Sequence, residues 1–327
     1  MLARNASGLY WMGRYLERAR HGCRLLRDQL ATMEDRPVEQ IADSWRRLYL
    51  AAGRSPVGGL MESTGDEEDF MAADAYTLAD DLTFAHHNPD SIRNCVAAAR
   101  ENARQIRNVI GSDMWSCLNV THLDLRGVEI QAIWAAQPGD FFARAEDSIR
   151  AFWGIAESAM YRDGGWHFLV LGRFVERAQL LGALVEAHIA VFPSSRRDSE
   201  WEWRSLLAVC EAHFAYRHLY PLEHRPDRIL DFIVTDSRLA HSLRHSLHMI
   251  AESLKGVSGS QARQAEVARR VRRMAGWIDD DWPRRDPNDD KAARAELARL
   301  RQSCRQLHED IAAAFFSCEI HDRGGRT

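Results

Sequence analysis

The sequence contains almost no lysine, although it is rich in arginine. Lys255 and Lys291 are the two lysines among 43 basic residues. A nucleic-acid-binding domain normally carries a basic stripe and an alkaline isoelectric point. The formal net charge here is −4, so we expect no nucleic-acid partner.

Paired cysteines and uninterrupted apolar runs are also missing. The six cysteines are scattered without a Cys-x-x-Cys pair, which is typical of reduced thiols in a core rather than of a zinc or disulfide framework. The most apolar window, residues 166–192, contains Arg173, Glu176 and Arg177, and these charges exclude a membrane span. The first residues lack the basic segment and apolar core of a signal peptide. We therefore expect a cytoplasmic protein without a membrane segment.

Signatures of a nucleotide-binding sheet are absent as well. The sequence has no Gly-x-x-x-x-Gly-Lys-Ser/Thr loop and no runs that alternate with period two, so the chain is not expected to carry out ATP-dependent ligation alone. Apolar residues instead recur at spacings of three and four, which predicts an all-α fold. The predicted helices cover residues 3–32, 38–53, 70–84, 89–110, 113–136, 139–161, 165–192, 198–219, 226–233, 236–256, 260–280 and 288–316.

One heptapeptide occurs twice. Residues 13–19 (GRYLERA) return as residues 172–178 (GRFVERA), 159 positions later, and Leu9 and Phe168 keep the same offset. Repeats of 20 to 50 residues indicate a solenoid, whereas this longer period indicates duplication of a whole helical bundle. We predict two tandem, pseudo-symmetric helical bundles packed into one elongated or two-lobed unit.

The repeat also predicts the domain boundaries. Residues 1–161 form the first helical repeat and residues 162–316 the second, followed by a C-terminal tail at 317–327. The acidic stretch at residues 65–69 is interpreted as a solvated surface loop, because runs of like charge usually face water.

The repeated heptapeptide carries a charged trio in each copy. On a helical wheel, the trio of the first copy lies opposite an apolar stripe, so this helix is expected to have one wet face. The trio of the second copy lies among leucines and valines, where an unpaired guanidinium would cost several kcal/mol. The candidate residues are Arg14, Glu17 and Arg18 in the first copy and Arg173, Glu176 and Arg177 in the second.

Two interpretations of these trios are open. In the first, they form a structural ion network in which Glu176 bonds Arg173 or Arg177 and the remaining donors reach the other repeat. In the second, they form an anion site, because each trio has two fixed positive charges for one negative charge and planar donors suited to carboxylate or phosphate.

A second cationic strip lies at Arg100 and Arg104, which share a helix face with Arg107 beside Glu101. It is interpreted either as a solvated helix face with intrahelical pairs or as a further part of the anion site.

His241 and His245 are weak metal-ligand candidates. They are four residues apart on one helix face, followed by His248 and Glu252. One helix cannot supply a full ligand set, because this stripe is longer than a metal ion can span. Surface or interface histidines are the favoured interpretation, and we expect no metal and no cofactor.

Several separated motifs resemble those of one known family. They are residues 9–19 (LYWMGRYLERA), 88–92 (NPDSI), 100–107 (RENARQIR) with Met114-Trp115 after it, and 172–178. Together they resemble the alpha-E family of bacterial all-helical proteins, and the resemblance covers residues 1–316. It implies an association with circularly permuted ATP-grasp ligase-like proteins, and also with transglutaminase-like peptidases, which are encoded beside or fused to family members.

The expected function is that of a helical accessory protein of an ATP-grasp-type amide or peptide ligase, whose Arg-Glu-Arg clusters bind an acidic peptide or a small acidic metabolite. Trp201, Trp203, Trp277 and Trp282 are the expected exposed anchors for the partner. One alternative is an enzyme or obligatory subunit acting on a peptide or acyl-phosphate intermediate, with a cluster glutamate transferring a proton. Another is a metal-dependent helical-bundle enzyme.

Overall fold

The computed structural model describes residues 1–31, 33, 38–55, 67–196, 199–221, 224–258 and 261–316. Within these ranges all regular structure is helical and no strand occurs, which confirms the predicted all-α fold. The predicted tail at 317–327 and the first two residues of the acidic stretch lie outside the described residues.

Fourteen α-helices are present in the described part of the chain. They are α1 (Ala3–Ala31), α2 (Val38–Ala52), α3 (Glu67–Thr83), α4 (Ile92–Gln105), α5 (Ser112–Arg126), α6 (Ile130–Trp134), α7 (Pro138–Ala159), α8 (Gly164–Val191), α9 (Glu200–Val209), α10 (His213–Leu219), α11 (Pro226–Thr235), α12 (Leu243–Lys255), α13 (Gln261–Gly276) and α14 (Asp290–Phe315). A short π-helix at Trp277–Asp281 and a 3₁₀ helix at Trp282–Arg284 lie between α13 and α14.

Several predicted helix boundaries differ from the observed ones, and three of the differences have a visible cause. The predicted helix 113–136 is two helices, because Gly127 ends α5. The predicted helix 198–219 is interrupted between α9 and α10, where Glu211 adopts a φ of 50°. The predicted helix 236–256 begins later, at α12, because the side chain of Ser242 accepts a hydrogen bond from the backbone N–H of His245 and caps the helix there.

Helices α1 and α8, which carry the two heptapeptide copies, pack against each other at the centre of the molecule. Helices α4 and α7 also pack on α1, and α12 and α14 pack on α8. Helix α2 packs on α8, and α9 packs on α1. The buried side chains of both halves belong to one continuous hydrophobic core. These corresponding neighbours fit a duplication, and the pseudo-symmetry of two whole bundles stays a prediction.

Almost no side of helix α8 is exposed to solvent, as its apolar sequence predicts. Its N-terminus is capped by Asp163, whose carboxylate accepts hydrogen bonds from the backbone N–H groups of Gly165 and Trp166. Twenty of its residues are buried, because other helices surround it. None of the described helices combines the length and apolar composition that crossing a membrane would require.

The backbones of α1 and α8 touch at two glycines. A Cβ atom added to Gly172 would lie 1.9 Å from the carbonyl oxygen of Tyr10, and one added to Gly13 would lie 2.2 Å from that of Leu169. Real Cβ atoms do not approach backbone oxygens so closely, so both positions require glycine. These glycines begin the two heptapeptide copies, and their contact places the charged trios that follow beside each other.

Candidate functional site

The carboxylate of Glu176 on α8 is buried and pairs with arginines of α1. It accepts hydrogen bonds from Nε of Arg14 at 2.6 Å and from Nε of Arg18 at 2.7 Å. Arg18 also donates to Asp90, just before α4. The Glu176 side chain is only 1% exposed, so these contacts compensate a charge that water does not reach.

Glu17 on α1 makes the reciprocal contacts. It accepts hydrogen bonds from Nε and Nη2 of Arg177 at 2.6 and 3.0 Å, and Nε of Arg173 lies 3.4 Å away. Each glutamate thus binds the two arginines of the other copy. We call these six residues (Arg14, Glu17, Arg18, Arg173, Glu176 and Arg177) the interhelical lock.

Two expectations about these residues need correction. Glu176 does not pair with Arg173 or Arg177 of its own helix, because its carboxylate points at α1. The wet face expected on α1 is also wrong for Arg14 and Glu17, which are 4% and 1% exposed. Helices α4, α7 and α8 together cover α1 on several sides, which a single-face helical wheel cannot anticipate.

Electrostatics keep the interhelical lock ionised. Burial acts to raise the pKa of Glu17, but the charges of Arg177 and Arg173 outweigh it, so the pKa is lowered. The pKa of Glu176 is lowered in the same way, against burial, by Arg14 and Arg18. A general acid or base works best with a pKa near the operating pH, so neither glutamate is suited to transfer protons.

Two arginines of the interhelical lock also lie against tryptophan rings. The guanidinium of Arg173 lies 4.2 Å from the ring centroid of Trp153, and that of Arg14 lies 4.7 Å from the ring centroid of Trp11. Such cation–π contacts favour guanidinium groups that have lost water.

A second carboxylate cluster adjoins the interhelical lock and was missed by sequence reasoning. Glu211, the residue with positive φ, accepts hydrogen bonds from Arg20 at 2.7 Å and from Arg24 at 3.0 Å. Arg150 of α7 also donates to it. The spacing of Arg20 and Arg24 on α1 could have indicated a further cationic face, but nothing in the sequence marks Glu211, which lies in a loop far along the chain.

Arg100 and Arg104 do not join the interhelical lock. Nε of Arg100 donates to Asn119 at 2.8 Å, and Nη2 of Arg104 donates to Glu101 at 2.6 Å on an exposed part of α4. Arg104 thus makes an intrahelical pair, as one interpretation expects, whereas the partner of Arg100 lies on α5.

The two histidine candidates have separate protein partners. Nε2 of His241 lies 2.7 Å from Nη1 of Arg24 and 3.2 Å from Glu211, whereas Nδ1 of His245 lies 3.1 Å from the carbonyl oxygen of Ser237. Within the described residues, no group of three His, Cys, Asp or Glu side chains has metal-binding geometry.

A cleft of about 150 Å³ opens beside Arg18 and Glu176, between α1, α2 and α8. Its charged lining consists of Arg18, Arg54, Arg301, Asp90 and Glu176. His21 also lines it, and this buried histidine has no hydrogen-bond partner among the described residues. The sequence marks Arg18 and Glu176, and His21 follows Arg18 on α1, whereas Arg54 and Arg301 enter the site only through the packing of distant parts of the chain.

His21 predicts a fall in stability at acidic pH. Burial and the nearby charge of Arg24 lower its pKa to about 3, from an ordinary value of 6.5. As the pH falls, the unfolded chain therefore binds a proton on His21 that the folded chain does not bind. The contribution of His21 to the free energy of unfolding is fully present above pH 6.5 and decreases as the pH falls towards 3. By proton linkage, this one group costs about 2 kcal/mol between pH 7 and pH 5.

Urea denaturation at the two pH values measures this effect. A His21→Gln chain should lose about 2 kcal/mol less than the parent over the same interval, while a chain with the exposed His218 changed to Gln should behave like the parent. An unchanged pH dependence in His21→Gln would rule out His21 as the source.

Only part of the expected aromatic surface is exposed. Trp203 and Trp282 are buried, which corrects the expectation that they anchor a partner, and Trp277 is half-buried. Trp201 is 65% exposed. Phe214 and Leu219 on α10, and Val120 and Leu123 on α5, are further exposed apolar side chains in the described part of the chain.

The fold and the site define a class of all-helical protein in which two copies of a Glu-Arg helix pack side by side and exchange ion pairs. The chain belongs to the Alpha-E family, described as a predicted alpha-helical domain with a conserved ER motif, whose sequence model matches residues 1–316. Glu17-Arg18 and Glu176-Arg177 are Glu-Arg pairs of the kind that this description names.

The curated relatives that match include uncharacterised proteins of Mycobacterium tuberculosis and Mycobacterium bovis. Each is 26% identical to this chain over 337 residues, which cover 98% of this chain and 37% of the relative. The chain therefore spans little more than a third of the length of these relatives. No solved structure matches the chain.

Proposed function

We propose that this chain is a helical accessory protein of an ATP-grasp-type amide or peptide ligase system. In this proposal the interhelical lock holds α1 against α8, and the cleft beside Arg18 binds a small acidic group and presents it to the ligase. The observation that carries the anion-binding part is the cleft itself, which opens beside ionised, buried charges of the lock. An acidic peptide and a small acidic metabolite both supply the carboxylate that arginine donors bind well.

The relatives support the accessory role. This chain matches only 37% of each of them, so in those proteins the same helical unit is joined to a larger remainder. A unit that is covalently joined to another in some proteins is well placed to act beside a separate partner in others. A circularly permuted ATP-grasp ligase-like protein is the partner that we propose, with a transglutaminase-like peptidase as a second partner.

The alternative of an enzyme or obligatory enzyme subunit has less support. Glu17 and Glu176, its proposed proton-transfer groups, have lowered pKa values and are each held by two arginines. The metal-dependent alternative relied on His241 and His245, whose ring nitrogens face an arginine and a backbone carbonyl instead.

Co-purification with a circularly permuted ATP-grasp ligase-like protein tests the proposal. We expect a stoichiometric complex in size-exclusion chromatography at micromolar concentrations. Because exposed tryptophans are frequent interface anchors, Trp201→Ala should weaken the complex at least about tenfold. Tyr161→Ala, which removes an even more exposed aromatic side chain, serves as the control. Two folded proteins that elute separately at these concentrations would count against the accessory role.

A further inference from the structure

The cleft beside Arg18 has a closed counterpart beside Glu17 and Arg177. Glu17 and Arg177 line a space of only about 10 Å³, together with Arg24 and His241. Glu17 and Glu176, and likewise Arg18 and Arg177, are 159 positions apart. The duplicated helices thus frame two equivalent positions, of which one is filled by protein and the other is open.

A single pair of residues accounts for much of this difference. Arg24 in the closed position corresponds to Ala183 in the open one, at the same offset of 159. The guanidinium of Arg24 donates to Glu211 at 3.0 Å and lies 2.7 Å from Nε2 of His241. Ala183 lines the cleft and has no side chain that could reach across it. The open position therefore lacks an internal group that its counterpart carries.

The open cleft also offers donors that the protein does not use fully. Arg54 makes one long contact, of 3.5 Å, with Asp81, and Arg301 donates to Glu186 at 2.7 Å. Neither guanidinium has another partner in the described part of the chain. Both arginines are partly exposed at the cleft, so a ligand carboxylate can reach their remaining N–H groups.

Acceptors line the same cleft. The carboxylate of Asp90 is half-exposed and pairs with Arg18. His21 is buried, uncharged at neutral pH and without a partner among the described residues, so one ring nitrogen can accept a hydrogen bond. Since Asp90 and Glu176 offset positive charge here, the cleft matches a ligand with both a cationic and an anionic group better than a simple anion.

The remaining wall is apolar and limits the size of a ligand. Leu26, Leu48, Leu82 and Leu180 lie along it. A cavity of comparable volume holds a benzene-sized molecule, which has about six heavy atoms. An aliphatic body of three or four carbons fits this space when its polar end lies at the open mouth.

We propose that this cleft binds a free, small aliphatic α-amino acid of about the size of valine. Its carboxylate accepts hydrogen bonds from Arg54 and Arg301, its ammonium group donates to Asp90 and His21, and its side chain packs on the leucine wall. This inference deepens the anion-binding part of the proposed function and does not depend on the ligase partnership. A helical accessory with such a site would hold an amino acid for a reaction that forms an amide bond.

Isothermal titration calorimetry with L-valine tests the proposal on the full chain. Saturable binding is expected, and two probes that each lack one charged group should bind at least about tenfold more weakly, because each loses charge-assisted hydrogen bonds. These probes are isovalerate, which lacks the ammonium group, and isobutylamine, which lacks the carboxylate. Equal binding of isovalerate and valine would overturn the zwitterion assignment, and the absence of saturation up to roughly 10 mM would overturn the site.

Two variants locate the site within the cleft. Ala183→Met fills the space that Arg24 fills in the closed counterpart, and it should weaken valine binding at least about tenfold. Arg54→Gln removes a partly exposed donor, which keeps the test valid if the methionine disturbs folding, and it should weaken binding by a similar factor. Arg104→Gln, on an exposed face of α4, should bind valine like the parent. Parent-like binding by both cleft variants would place the ligand elsewhere.

The two proposals can fail separately. A chain that binds valine but does not co-purify with the ligase would refute only the partnership. A chain that co-purifies with the ligase but does not bind valine would refute only this site.

Discussion

Gly172→Ala is expected to destabilise the protein by about 3 kcal/mol or more, at the upper end of overpacking effects. The new Cβ atom would meet the backbone carbonyl of Tyr10 at 1.9 Å, and a backbone oxygen cannot rotate away as a flexible side chain can. The helices α1 and α8 would have to separate, which would lengthen the ion pairs that follow the glycine on both helices. Urea denaturation, monitored by circular dichroism, measures the free energy of unfolding.

A second glycine in the interior of a helix supplies the matched control. Gly154 on α7 has no atom within 4 Å of an added Cβ, so Gly154→Ala should stabilise the protein by about 0.5–1 kcal/mol through helix propensity alone. Gly13→Ala, at the reciprocal contact, should resemble Gly172→Ala because its Cβ would meet Leu169 at 2.2 Å. A loss below about 1 kcal/mol in both contact variants would mean that the two helices are not held this closely.

The sequence predicts much of the scaffold because its signals are local. Spacings of three and four residues predict the helices, and Asp163 marks the start of α8 with a side chain that caps it. The cap at Ser242 was not predicted. The breaks near Gly127 and Glu211 were missed. At both places the apolar spacing continues across the turn, so periodicity alone gives no sign that the helix ends.

The sequence predicts which residues form the interhelical lock, but not which of them pair with each other. The apolar surroundings of Arg173 and Arg177 predicted carboxylate or carbonyl partners, or a bound anion, and both arginines contact a carboxylate. The partner is nevertheless Glu17, 160 positions away, because the glycine contact aligns the two copies side by side. The cleft was harder still to foresee, since it exists where Ala183 replaces the counterpart of Arg24.

Reciprocal pairing explains how charges can occupy the centre of a helical protein. Replacing a buried ion pair with apolar residues often leaves stability unchanged or raises it, so the interhelical lock is not required for stability as such. Its donors and acceptors are instead matched only when α1 and α8 lie in one register. A shift of one helical turn would leave Glu17 or Glu176 without its arginines, and the lock therefore selects one alignment of the two copies.

Glu17→Gln should produce the largest loss, of about 3–5 kcal/mol, because it leaves Arg173 and Arg177 with no carboxylate in a buried position. Glu176→Gln should cost less, since Arg18 keeps its contact with Asp90 while Arg14 loses its carboxylate. Glu101→Gln breaks an exposed pair with Arg104 and should change stability by at most about 0.5 kcal/mol. Denaturation of all three variants at pH 7 compares these losses directly.

The double variant Glu17→Gln, Arg177→Met separates the loss of an interaction from the cost of a stranded charge. If unpaired Arg177 causes most of the damage, removing its charge as well should recover about 1–3 kcal/mol relative to the sum of the single losses. Strict additivity of the two substitutions would show that Glu17 and Arg177 do not depend on each other, and the interhelical lock would then have no role in holding α1 against α8.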